Sequence, residues 1–201
     1  MSNVDAARGL SPSHYMDGTP WNGATFDVYI SASYAVALYV GDPVLLSPTD
    51  GEADATAKRL TVNRSAGTDG TIILGVIAGF QESTTNASLT HNPASTERAA
   101  RVVKATPDLV FRIQDDGSGT PAAAWVGQNA TIAVGAGGST VTGRSGFEIL
   151  GSSVGADQSN TVLIVGLSDI PGNEIGDFAI WDVLINTSRN ATGTYLGVTP
   201  A

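Results

Sequence analysis

The chain has no cysteine, two histidines (His14 and His91) and two lysines (Lys58 and Lys104) among its 201 residues. Without cysteine there is neither a disulfide framework nor a thiolate metal site. The two histidines stand far apart, with no His-x-x-His or His-Glu pairing, so no zinc motif is present and no metal is expected. Charged residues make up 14%, against about 25% in an ordinary soluble domain. Long apolar runs are also missing. The longest, residues 72–80, includes two glycines and falls far short of the ~20 residues that a membrane helix needs. Residues 1–10 have no signal-peptide core. Neither a membrane partner nor a general secretion signal is expected.

What is present is glycine (24 residues), abundant Ser and Thr, and 42% hydrophobic residues. The apolar content suffices for a core and is too high for a disordered chain. The turn formers and the scarcity of helix-forming surface residues exclude an all-α bundle. Ten basic residues against nineteen acidic ones give a net charge of −9, which repels phosphate backbones, so no direct nucleic-acid contact is expected.

Residues 1–24 read as an extended N-terminal arm, because Pro12, Gly18, Pro20 and Gly23 interrupt any periodicity. Tyr15, Met16 and Trp21 are its anchors, on its own domain or on a neighbour. Residues 25–201 read as one β-rich domain with room for a small sub-lobe. Strand patterns recur at 25–30, 34–40, 44–46, 59–62, 71–78, 101–105, 109–114, 130–134, 146–150, 161–167 and 178–186. A polar loop is expected over 47–58. Asp115-Asp116-Gly117-Ser118-Gly119 reads as a hairpin turn, Gly135-Ala136-Gly137-Gly138 and Pro171-Gly172-Asn173 as loops. Ser95-Thr96-Glu97-Arg98-Ala99-Ala100-Arg101 has a capping residue and is a candidate helix, and 121–125 allows one turn. No repeat period is present. The expected fold is all-β, a barrel or sandwich of short strands.

Catalytic patterns are incomplete. Gly143-Arg144-Ser145-Gly146 lacks the closing glycine of a hydrolase elbow, since Phe147 takes that place. The glycine run at 135–138 lacks nucleotide-loop spacing, and Asp115-Asp116 lacks the closing Glu of a calcium loop. Glu174, Asp177 and Asp182 around Trp181 are the only acids with the look of a glycosidase pair, and Trp21, Trp125 and Trp181 are the aromatics that a sugar-binding module would use. Basic residues gather modestly at Arg98, Arg101, Lys104 and Arg112. Residues 145–201 hold one base, Arg189, and six acids, an asymmetry suited to a charged neighbour or a second copy.

Six blocks in order, residues 38–46 (LYVGDPVLL), 71–80 (TIILGVIAGF), 105–117 (ATPDLVFRIQDDG), 127–130 (GQNA), 162–167 (VLIVGL) and 183–186 (VLIN), together resemble the capsid decoration, or cement, proteins of tailed bacteriophages. The resemblance implies a non-enzymatic virion protein on the outer surface of an icosahedral head. There it binds the major capsid protein as a homotrimer, with no cofactor and no catalytic residues. Such a trimer would have a charge of three times −9, or −27, suited to the solvent side of a shell. Residues 1–24 lie outside the blocks, so their removal is expected to weaken attachment more than folding. The other readings are a carbohydrate-binding module or head fibre contacting the host surface, and a glycoside-active enzyme using Glu174 with Asp177 or Asp182.

Overall fold

A computed structural model describes residues 3–47, 59–83, 86–135 and 137–188. Ala136, Arg189 and all but Ser47 of the polar loop at 47–58 lie outside these. The described chain is β throughout, with short 3-10 turns at Ala123–Trp125 and Gly151–Ser153 and no α-helix.

Alternation of side chains builds the first half. In β2 (Phe26–Ile30), Val28 and Ile30 point into a core while Asp27 stays in water, as a two-residue period requires. β2 runs parallel to β4 (Leu60–Arg64) and antiparallel to β6 (Arg98–Lys104). β3 (Pro43–Leu46) pairs with β4 and with β5 (Gly75–Phe80), and β5 pairs with β6, so the order β2-β4-β3-β5-β6 closes into a barrel. Val28, Ile30, Val44, Val62, Ile77, Ala100 and Val102 lie in its core. A barrel of five strands has room for side chains only.

The second half is an open five-stranded sheet in the order β1-β7-β12-β11-β8. Its strands are β1 (Ser11–Tyr15), β7 (Leu109–Gln114), β8 (Asn129–Ala130), β11 (Val162–Leu167) and β12 (Ile180–Ile185). A two-stranded ribbon, β9 (Ile132–Val134) with β10 (Phe147–Ile149), adds Ile132, Phe147 and Ile149 to the same core as Phe111, Trp181 and Val183. Val76 of β5 and Val103 of β6 also belong to this core. The barrel wall is therefore one side of the sheet's core.

Three local expectations are corrected. The candidate helix at 95–101 is loop and strand: Ser95 has φ of 54° and β6 begins at Arg98. Pairing on both edges, with β2 and β5, outweighs the modest helical preference of Glu, Arg and Ala. Residues 34–40 form no strand. Leu38 and Val40 make single bridges to Asn92 and Arg144, and residues 31–34 form a turn closed by Tyr34 N–H donating to the Ser31 carbonyl (3.1 Å). Asp115–Gly119 is not a hairpin, since β7 pairs with β1 and β12 and its carboxylates cap backbone groups instead.

Candidate interaction surface

The N-terminal segment is built into its own domain along most of its length. The Asn3 amide donates to the carbonyls of Glu174 (2.8 Å) and Asp177 (3.1 Å), and its oxygen accepts from the Glu174 N–H (3.2 Å). The Gln114 side chain brackets the next stretch, donating to the Val4 carbonyl and accepting from the Ala6 N–H, both at 2.8 Å. Gly9 then passes a tight crossing. A Cβ there would collide with the Gly41 carbonyl oxygen and Ser145, and φ of 67° is open chiefly to glycine. Leu10, fully buried, enters the sheet core, and β1 pairs antiparallel with β7.

The three arm anchors divide. Tyr15 and Trp21 are partly buried against the domain's own sheet core. Met16 is 54% exposed and the most open of the three. Because Leu10 and β1 complete the core and the sheet, loss of residues 1–24 is expected to damage folding together with any attachment.

Two of the three tryptophans are core residues. Trp181 is fully buried, packs against buried Trp125 (ring centroids 5.4 Å apart) and donates its indole N–H to Asp115 Oδ2 (3.0 Å). Neither offers a face for stacking on a sugar. Of the three acids grouped around Trp181 in sequence, Asp182 is paired with Arg112 across β12 and β7 (3.5 Å), while Glu174 and Asp177 sit exposed in the loop that receives Asn3.

The basic residues divide in the same way. Arg98 donates to the carbonyls of Gln81 (2.6 Å) and His91 (2.8 Å) and lies 5.2 Å from the Phe80 ring centre. Arg101 and Lys104 are exposed on the barrel. His14 bonds Ser13 (3.0 Å), and His91 stacks on Tyr39. Among the described residues no group of three or more His, Asp or Glu is placed to hold a metal ion.

Buried carboxyls form two knots that the sequence pattern did not single out. Asp115 accepts from the N–H groups of Gly117 and Phe178 (both 2.9 Å) besides Trp181. Burial raises its pKa against the pull of these bonds. Glu148 of β10 is buried too, and desolvation, followed by the charges of Asp5, Asp116 and Asp115, pushes it up to about 7. Asp42 is pushed up to about 6 by burial, opposed by bonds from Ser145 and the Tyr39 N–H (2.9 Å). Ser145, in the would-be hydrolase elbow, is thus buried and bonded to Asp42. Asp115 and Asp42 tie distant loops together, through Phe178 and Trp181 in one case and Ser145 in the other. No local motif announces those long-range bonds.

No family profile, curated protein or solved structure matches this chain.

Proposed function

We propose that the chain is a capsid decoration protein of a tailed bacteriophage, bound as a homotrimer to the major capsid protein on the outside of the head. In this reading it is not an enzyme. It resists the outward pressure of packed DNA by holding neighbouring capsid subunits together. A trimer that has made one contact makes the next at high effective concentration, so weak individual interfaces become durable.

The observation that supports the reading is the ordered resemblance itself. Its six blocks coincide with β3, β5, β7, β8, β11 and β12 and the turns beside them. Exposed Met16, at the end of β1, offers an anchor to a neighbour. The acidic charge suits a surface facing solvent rather than DNA.

Cosedimentation with cognate heads stripped of the protein tests the proposal, alongside light scattering of the free protein. The expected results are saturable binding, a higher melting temperature for loaded heads, and a solution mass of three times 20.5 kDa. A monomer that leaves heads unbound overturns it.

A further inference from the structure

Basic residues are outnumbered in this chain, ten to nineteen, yet three arginines from distant parts of the sequence meet at one cleft. Arg8, Arg112 and Arg144 line a cavity of about 210 Å³ walled by Ala6, Ile170 and Ile180. A second cavity of about 210 Å³ shares Ala6, Arg8, Ile170 and Ile180 and continues toward Asn3. Together they make one elongated cleft beside the N-terminal segment.

The backbone fixes where these arginines start. Arg8 precedes the crossing at Gly9, whose neighbour Leu10 donates its N–H to the Gly41 carbonyl (3.0 Å). Arg144 is held at the same crossing: the Val40 N–H donates to the Gly143 carbonyl, and the Ser145 N–H to the Val40 carbonyl, both at 2.8 Å. Arg112 projects from β7. The fold therefore sets the backbone positions of the site, and binding has the exposed arginine side chains left to order.

Two of the three charges, those of Arg8 and Arg144, have no internal counterion among the described residues. Both residues are exposed. Arg112 Nε faces Asp182 Oδ1 at 3.5 Å, but both atoms are buried without a hydrogen bond. Guanidinium groups gathered on an acidic protein create a local field opposite to that of the whole molecule. Their planar forks match carboxylates in pairs of hydrogen bonds. The isoleucine walls suit a methylene stem, and the elongated outline suits an extended chain. Carboxylates spaced along one chain can engage the separate guanidinium groups of an elongated cleft together, whereas a single phosphate ion spans only part of it.

We propose that this cleft binds an acidic peptide segment of a partner protein, whose carboxylates pair with Arg8, Arg112 and Arg144. The inference goes beyond the head-binding reading, and its test uses no heads, so the two can fail separately.

The test is titration of a blocked hexaglutamate peptide into the full-length protein at low salt by calorimetry. The double variant Arg8→Gln/Arg144→Gln alters exposed side chains and is expected to keep the wild-type melting curve while binding about ten-fold more weakly or less. The control Arg101→Gln/Lys104→Gln makes the same change in net charge on the barrel and is expected to leave binding intact. Inorganic phosphate at equal concentration is expected not to compete. Absence of binding by the wild type overturns the proposal, as does equal loss in the control, which would mean diffuse attraction. Competition by phosphate would overturn it in favour of a small-oxyanion site.

Discussion

Glu148 holds its proton at a pH where an ordinary glutamate has lost it, because it is buried and faces Asp5, Asp116 and Asp115. Its folded pKa of about 7 lies above the usual 4.5. Between those values the folded protein binds a proton that the unfolded chain releases, so stability falls as pH rises through that window. Asp42, raised to about 6, contributes in the same direction at lower pH. Glu148→Gln keeps the shape and removes the charge. It is expected to stabilise the protein by on the order of 2 kcal/mol at pH 8 and by little at pH 4. Urea midpoints at the two pH values check this, and equal effects at both would refute the assigned cause. Asp115 makes the opposite case, a carboxylate whose removal does harm. Asp115→Ala strands the N–H groups of Trp181, Gly117 and Phe178 and is expected to cost about 3–5 kcal/mol, read as a lower melting temperature. Neither role shows in the local sequence, where Asp115 reads as turn chemistry and Glu148 as one more surface acid.

Among the elements, β1 departs furthest from its sequence. A stretch broken by Pro12, Gly18 and Pro20 shows no alternation, yet it supplies an edge strand and a fully buried leucine. The signal is weak because all five residues of β1 are only half-buried and the anchoring residue, Leu10, lies just outside it. Leu10→Ala is expected to destabilise the protein by about 2–4 kcal/mol, measured by denaturant unfolding. A change within error would mean that the segment is only draped over the sheet. β7, β11 and β12 are the reverse: each is a dense β-branched or aromatic run whose limits are legible to within two residues. β6 misleads, since its alanines and arginines favour helix until β2 and β5 claim both edges.

At the scale of the molecule, the barrel and the sheet are distinct in topology and joined in packing. Ile73, Val76 and Val103 come from the barrel half of the chain and lie in the sheet core. Unfolding is therefore expected to be one cooperative event. Val103→Ala, made in a barrel strand, should shift a single calorimetric transition downward. Two separated transitions would show that the halves fold independently. The same joining makes the arginine cleft, because the crossing of residues 8–10 with Gly41 and Ser145 brings Arg8 and Arg144 to the end of β7.

Composition and strand patterning alone determined that this protein is all-β, rich in turns and acidic. Short β-branched runs between glycines leave few other ways to bury 42% hydrophobic residues. Only the tertiary structure decided which strands close the barrel, that the N-terminal segment belongs to the sheet, that Trp181 is core, and that three arginines share a cleft. Those outcomes depend on contacts between residues up to 174 positions apart, the separation of Asn3 and Asp177. Hydrophobic periodicity reports which face of a strand is buried, and it contains no information about which distant partner will cover it.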